Sequence, residues 1–134
     1  MYQQVLVATD GRDGTRRAVE HAITIAGRFD ARLHALSVRV EGPYDTPGEA
    51  QRAAEDAVSA VKAEATNADV DIDTVIREGT PHEEILAYAD EANVDMIVLG
   101  TQGRSGLDRV IVGSVAEQVL RNADAPVVTV RTGE

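Results

Sequence analysis

The sequence contains no cysteine and no tryptophan, and it has one phenylalanine and a single lysine, Lys62. The absence of cysteine excludes disulfides and thiolate metal sites. The scarcity of aromatic side chains argues against a surface on which nucleic-acid bases could stack. No apolar run reaches the roughly 20 residues that a membrane-spanning helix needs. We therefore expect no membrane partner and a core built from aliphatic side chains.

Basic side chains are also scarce, because 13 lysines and arginines face 23 aspartates and glutamates, for a net charge of −10. A nucleic-acid-binding surface needs a basic footprint, so this balance argues against DNA or RNA as a partner. It does not exclude a single nucleotide, whose site depends on local donors. An acidic, lysine-poor chain is typical of a salty cytoplasm, where the Debye length falls to about 3 Å at 1 M salt. We expect a halophilic source, no targeting segment and a cytoplasmic location.

The length of 134 residues fits one domain, spanning residues 1–134. Apolar periodicity predicts five strands, at residues 4–9, 32–40, 71–77, 94–99 and 125–131, and helices at 15–29, 47–66, from 81 onward, and at 114–121. For the third helix, Thr80 is predicted as the N-cap, with Pro81 in the first turn and Glu83 completing a capping box. The chain thus alternates strand and helix throughout.

This alternation predicts an α/β fold with an open five-stranded parallel sheet and helices on both faces, a Rossmann-like arrangement. With the strand order 3-2-1-4-5, the winding reverses between the first and fourth strands. Ligands of such sheets bind beyond the carboxyl ends of the strands at that reversal. The loop that begins with Asp10 and the loop that begins with Gly100 are expected to face this crevice.

A glycine-rich segment follows the fourth strand. It reads Gly100-Thr-Gln-Gly103, then nine residues, then Gly113-Ser114, with Ser114 as the predicted N-cap of the last helix. Glycine lets a backbone approach a phosphate closely, and first-turn amides have no partner within their helix. The segment therefore favours an anion site, although the same glycines could form a strand-to-helix turn without a ligand.

The chain resembles the universal stress protein family over nearly its full length. The resemblance lies in Val7-Ala-Thr-Asp-Gly11, in Glu78-Gly-Thr-Pro-His-Glu-Glu-Ile85, and in the spacing Gly100-x(2)-Gly103-x(9)-Gly113-Ser114. That spacing is similar to the motif of the family's ATP-binding branch. The resemblance implies that the chain binds ATP, with Mg²⁺ held mainly by the phosphates and water.

The resemblance also implies ten residues that contact ATP. Ala8 and Asp10 would contact the nucleoside, and the backbone of Val38 would contact adenine. The ribose and phosphates would be held by Gly100, Gly103, Arg104, Ser105, Gly113, Ser114 and Val115. From the residues alone, Asp10 could equally form an Asx-turn or cap the first helix. The chain departs from the family pattern at Arg12, where a small hydroxyl residue is common, and at Gln102, where histidine is frequent.

No catalytic set can be identified in the sequence. His21, His34 and His82 lie on different predicted elements, and no nucleotide-hydrolysing loop of the form Gly-x(4)-Gly-Lys-Ser/Thr occurs. We expect a nucleotide-responsive regulatory or stress-tolerance protein rather than an enzyme. Slow ATP hydrolysis or autophosphorylation would be a side activity, with Ser105 or Ser114 as candidate acceptors. An ATP-using enzyme of the same architecture is the less favoured alternative.

The last predicted strand carries three valines near the end of the sequence, Val127, Val128 and Val130. An apolar strand at the edge of a sheet favours pairing with a second strand. The family resemblance implies that two copies pair these edges across a two-fold axis, so we expect a homodimer. A dimer module of this fold that binds no nucleotide is a further alternative.

Overall fold

The computed structural model describes residues 2–11, 13–39, 46–101 and 114–131. The strands are β1 (Gln4–Ala8), β2 (Arg32–Arg39), β3 (Ile72–Glu78), β4 (Met96–Thr101) and β5 (Val127–Arg131). The helices are α1 (Asp13–Phe29), α2 (Pro47–Asn67), α3 (Pro81–Glu91) and α4 (Ser114–Asn122). Every predicted element in these ranges is present, and no end is displaced by more than about two residues. No helix of the described part combines the length and the apolar character that crossing a bilayer requires.

The five strands form one parallel sheet in the order β3-β2-β1-β4-β5. In the centre, Val5 of β1 pairs with Leu33 of β2 on one side and with Met96 of β4 on the other. The chain winds outward from β1 to β3 and then returns to the opposite side for β4 and β5. The predicted fold and strand order are therefore confirmed, and the reversal lies between β1 and β4.

The core consists of two aliphatic layers, one on each face of the sheet. On one face, small residues of α1 such as Ala18 and Ala22 pack against β1 together with Val61 of α2. On the other face, Ile85 of α3 and Val119 of α4 pack against the sheet. The stripe of alanines on α1 lets that helix lie close to the strands, as the periodicity of the sequence indicates.

Helix starts differ from the prediction in one respect. The capping box is found at α2, where the amide of Glu49 donates to the Thr46 hydroxyl and the Glu49 carboxylate accepts from the Thr46 amide, both at 3.1 Å. Thr80 is the N-cap of α3, but its side chain makes no capping hydrogen bond. The predicted capping box with Glu83 is therefore wrong. The extended backbone of Thr80 and the fixed φ of Pro81 begin this helix instead.

A polar contact joins β1, β2 and α3 inside the second layer. The His34 imidazole is 6% exposed, with Nδ1 at 2.7 Å from the Tyr88 hydroxyl and Nε2 at 2.6 Å from Gln4 Oε1. Because a carbonyl oxygen only accepts, Nε2–H donates to Gln4 and Nδ1 accepts from Tyr88. Burial lowers the pKa of His34 from its ordinary 6.5, Asp73 opposes this shift, and Arg32 adds to it.

The two edges of the sheet differ in charge. Beside β3, carboxylates pair with arginines. Arg32 and Arg39 of β2 pair with Asp73 at 3.3 Å and Glu78 at 3.0 Å, and Arg77 of β3 pairs with Glu84 at 3.7 Å and with Glu91, both on α3. The other edge, β5, has the sequence Val-Val-Thr-Val-Arg. Val130 is 6% exposed and belongs to the core, while Val127 and Val128 are half-buried against the two layers. The valines therefore anchor β5, and its exposed residues are Thr129 and Arg131.

The end of β4 lies unusually close to the first turn of α1. A Cβ atom added to Gly100 would stand 2.5 Å from the carbonyl oxygen of Gly14 and 3.4 Å from Cα of Thr15. Real Cβ atoms do not approach backbone oxygen so closely, so only glycine fits without movement of the helix. Gly100 thus has a packing role that does not depend on any ligand.

We expect Gly100→Ala to lower the free energy of unfolding by about 1–3 kcal/mol, because the clash is with backbone and cannot be relieved by a rotamer change. Gly48→Ala is the matched control: Gly48 lies in the first turn of α2 with nothing within 4 Å of its added Cβ. That change should leave stability unchanged or raise it by up to about 1 kcal/mol. Urea denaturation of both variants measures this, and equal stabilities would contradict the packing role.

We expect the free energy of unfolding to fall as the pH drops below about 6.5, because the unfolded chain binds a proton at His34 more tightly than the folded chain does. The contribution of one such proton has a limiting slope of about 1.4 kcal/mol per pH unit. His34→Gln should reduce this slope. His21→Gln is the control, because His21 is exposed on α1, and it should keep the part of the slope that His34 causes. Chemical denaturation between pH 5 and 8 gives the slopes, and an unaltered slope in His34→Gln would refute this cause.

Candidate functional site

A cavity of about 240 Å³ opens at the carboxyl ends of β1, β2 and β4, where the winding of the sheet reverses. Its volume is slightly below the range of about 300–1,000 Å³ that is typical of ligand pockets. Twelve described residues line it: Ala8, Thr9, Asp10, Gly14, Thr15, Leu36, Val38, Pro81, Ile85, Leu99, Gly100 and Val115. The cavity therefore lies at the place that the strand order predicts for a ligand.

Five of the ten residues predicted from the sequence line this cavity: Ala8, Asp10, Val38, Gly100 and Val115. They come from three strands, the loop after β1 and one helix. Ser114 is the first residue of α4 and precedes Val115, and its side chain lies outside the described part of the structure. Gly103, Arg104, Ser105 and Gly113 lie outside the described residues, as do Arg12 and Gln102.

Seven lining residues were not predicted from the sequence. Thr9 precedes Asp10 and Thr15 follows it by five residues. Their position close to the carboxyl end of the first strand could have identified them as site residues. Pro81 and Ile85 come from the start of α3, where the resemblance indicated a helix entry but no contact. The remaining three, Gly14, Leu36 and Leu99, lie next to predicted residues in space or in sequence.

One wall of the cavity is apolar. Leu36 is fully buried, Ile85 is 2% exposed and Leu99 is 3% exposed, and Val38 lies beside them at the end of β2. These side chains are held rigidly because they belong to the core layer under α3 and α4. Such a wall suits a flat, largely apolar group such as a heterocyclic base, whose hydrogen-bonding edge the strand ends can reach.

The N-termini of three helices surround the cavity, since Gly14 and Thr15 open α1, Pro81 opens α3 and Val115 opens α4. This arrangement follows from the parallel sheet, in which helices begin where strands end. Each N-terminus carries a partial positive charge and unpaired amides. Asp10 is the single acidic side chain among the described lining residues. The electrostatic surroundings therefore favour an anionic group on the helix side of the cavity.

A set of hydrogen bonds holds the loop after β1. The amide of Gly11 donates to the Thr9 hydroxyl at 3.1 Å, and the Thr9 and Thr15 hydroxyl oxygens are 3.1 Å apart. The Thr15 hydroxyl donates to Asp10 Oδ1 over 3.4 Å. Asp10 is therefore held by a residue of the first helix, so that the capping alternative and the site role of Asp10 are compatible.

The described residues contain no group of three or more His, Cys, Asp or Glu side chains arranged to hold a metal ion. Mg²⁺ is commonly bound through one or two carboxylates together with substrate phosphates and water. Asp10 is an oxygen ligand of the right chemistry at the cavity. The site is compatible with a magnesium ion that the phosphates of a ligand carry.

A second cavity of about 270 Å³ lies near the opposite, amino-terminal edge of the sheet, between the ends of α3 and α4. Its lining includes Asp90, Asn93, Asn122 and Asp124. Helix C-termini and two acidic side chains surround it, so an anion would be repelled there. The cavity at the strand carboxyl ends is therefore the better candidate, although the two are similar in size.

The comparisons with known proteins agree with the fold. A sequence profile of the Universal stress protein family matches residues 1–131. Universal stress protein MJ0531 from Methanocaldococcus jannaschii is 37% identical over 141 residues, which covers 98% of this chain and 83% of that protein.

Two solved structures illustrate the structural similarity. A universal stress protein in complex with cAMP is 26% identical, with a TM-score of 0.80, and the match covers 98% of this chain and 99% of that one. Universal stress protein UspA from Lactobacillus plantarum is 31% identical, with a TM-score of 0.70, and the match covers 97% and 98%. The family match over nearly the whole chain, together with the strand order, leads to one conclusion: this chain belongs to the universal stress protein family.

Proposed function

We propose that the chain binds ATP with Mg²⁺ in the cavity at the carboxyl ends of β1, β2 and β4, and that it acts as a nucleotide-responsive regulatory or stress-tolerance protein. The observation that carries this proposal is the convergence of Ala8, Asp10, Val38, Gly100 and Val115 on one cavity. A relative of 26% identity has been solved with cAMP, an adenine nucleotide, which supports the ligand class. The glycine spacing from Gly100 to Ser114 supports ATP within that class.

In this proposal, the three parts of a nucleotide lie in order along the sheet edge. The base lies against the apolar wall, where backbone groups of Val38 at the end of β2 read its edge. The ribose lies over the end of β1. The phosphates lie beside Gly100 and at the N-terminus of α4, where Val115 is the described lining residue. Gly103, Arg104, Ser105, Gly113 and Ser114 complete the proposed phosphate contacts.

The energetics require several contacts to act together. One helix N-terminus contributes about 0.3–1 kcal/mol to an exposed anion, whereas micromolar affinity corresponds to about 8 kcal/mol. Charge-assisted amide hydrogen bonds contribute roughly 1.5–3 kcal/mol each. A few such bonds, added to burial of the base against Leu36 and Ile85, would be enough for micromolar binding.

We propose binding without dedicated catalysis. His34, the buried histidine of the described part, is engaged by Gln4 and Tyr88, and none of these three residues lines the cavity. A ligand that prefers one of two conformations shifts their populations, so that ATP occupancy can alter a surface without being hydrolysed. Slow hydrolysis or autophosphorylation at Ser105 or Ser114 would accompany this role as a side activity.

We expect wild-type protein to bind Mg-ATP with micromolar affinity, and Val115→Glu to weaken binding at least tenfold, because the added carboxylate would face the phosphates. Glutamate is well tolerated in the first turn of a helix, so the fold should persist. Leu120→Glu is the matched control on the same helix, since Leu120 is 52% exposed and does not line the cavity. Isothermal titration calorimetry at high salt measures the affinities.

Two outcomes of this titration would count against the proposal. Absence of binding by folded wild-type protein would favour the alternative of a dimer module without a nucleotide. If wild type and Val115→Glu bind with equal affinity, and thermal unfolding shows that both are folded, the phosphates do not bind at the N-terminus of α4. Rapid multiple turnover of ATP during the titration would instead favour the enzyme alternative.

We also propose that two copies pair through β5 across a two-fold axis. The supporting observation is an edge strand of five residues with a single charged side chain, Arg131. Val127, Val128 and Val130 stabilise this edge from within, because they pack on the core layers. The backbone groups along the exposed side of β5 then supply the hydrogen bonds of pairing.

We expect light scattering to give about twice the 14.3 kDa of one chain. Thr129→Lys should shift the protein toward monomer, because Thr129 is exposed on β5 and two lysines would meet across the axis. Thr74→Lys places the same charge on the exposed side of β3 and should leave the mass unchanged. Loss of the dimer in Thr74→Lys alone would assign the interface to the opposite edge.

A further inference from the structure

A third cavity, of about 220 Å³, lies in the groove between α1 and α2, and we call it the interhelix cavity. Among its described lining residues, only Thr9 and Thr15 also line the cavity of the proposed nucleotide. The function proposed above therefore leaves the interhelix cavity without a role. Its apolar lining comes from one residue of α1 and three of α2: Val19, Ala57, Ala60 and Val61.

Two side chains of opposite charge line the interhelix cavity, Arg16 on α1 and Glu64 on α2. Within the described part of the chain, Arg16 has one ion pair, with Glu20 at 3.9 Å, and both of these side chains are mostly exposed. An exposed pair of this kind contributes little to stability. Among the same residues, the Glu64 carboxylate has no ion pair or hydrogen bond. Both charges are therefore available to a ligand.

Each of these two charges lies at the helix end where its sign is unfavourable. Arg16 is near the start of α1, beside the partial positive charge of that helix, and Glu64 is in the last turn of α2, beside a partial negative charge. At each end of the cavity the helix and the side chain therefore have the same sign. Proteins retain such unfavourable local placements mainly where a function requires them. A ligand with the opposite charge at each end would compensate both.

We propose that the interhelix cavity binds a small zwitterion, whose carboxylate pairs with Arg16 and whose ammonium group pairs with Glu64. The start of α1 adds to the attraction of the carboxylate, and the end of α2 adds to that of the ammonium group. The valines and alanines between them contact the carbon chain of the ligand. Packed helices have axes about 8–10 Å apart, so a molecule of amino-acid size can reach from one to the other. This binding does not depend on the proposed nucleotide function.

The test is a titration with glycine, β-alanine and γ-aminobutyric acid, in which the distance between the two charges increases, followed by NMR shifts of the backbone amides. We expect at least one of them to bind with millimolar affinity and to shift the amides of Val19 and Ala60. Acetate and propylammonium each carry one of the two charges and should bind about tenfold more weakly, because neither can make both contacts. Arg16→Gln and Glu64→Gln should each weaken the best zwitterion about fivefold.

Matched controls remove the same charges elsewhere. Arg52→Gln and Asp56→Asn change exposed residues of α2 that do not line the interhelix cavity, and both should keep the wild-type affinity. The proposal fails if no zwitterion binds to folded wild type, or if acetate or propylammonium binds as tightly as the zwitterions. It fails also if the controls weaken binding as much as Arg16→Gln and Glu64→Gln do, since the effect would then come from net charge. The ATP titration is independent of all these outcomes.

Discussion

The burial of β1 between two parallel neighbours is the constraint on which this structure depends. Val5, Leu6 and Val7 have no exposed surface, and β2 and β4 pair with them on either side. Parallel neighbours require crossovers, and crossovers of one hand place α1 and α2 on one face and α3 and α4 on the other. The first half of the chain builds outward on one side of β1 and the second half on the other. The loops that leave β1 and β4 therefore diverge, and a crevice opens between them.

That divergence brings opposite electrostatic features together at one edge. Helices that begin beyond the strands direct their N-termini at the crevice, so the surroundings favour an anion. The central strand contributes Asp10, a negative charge, in the middle of the same crevice. Both features are matched by a ligand that has its negative charge at one end and neutral donors at its centre. A nucleotide has this distribution, whereas inorganic phosphate or a dicarboxylate does not. The electrostatic character of the crevice thus follows from topology as much as from individual side chains.

Periodicity was enough to predict the fold, since strands of continuous aliphatic residues alternate with amphipathic helices and such a chain has few architectures available. The ends of elements depend on local contacts, which explains why the predicted capping box at Thr80 failed and the one at Thr46 was missed. The glycine of the site shows a second limit. Gly100 was predicted from its motif as a phosphate contact, yet its distance from Gly14 supplies a packing reason that no spacing in the sequence reveals. The hydroxyl pair of Thr9 and Thr15 likewise exists only once α1 is folded against β1.

The contrast between the sheet's two edges has a consequence for how copies of the chain can assemble. Charged side chains beside an edge strand disfavour pairing with another edge, and Asp73 and Glu78 of β3 carry such charges, each paired with an arginine of β2. β5 carries one charge in five residues. A sheet with two permissive edges can add copies without limit and become a fibre, but a sheet with one can be extended once only. The proposed pairing through β5 would therefore join two sheets into ten strands, and the charged side chains beside β3 would oppose the addition of a further copy.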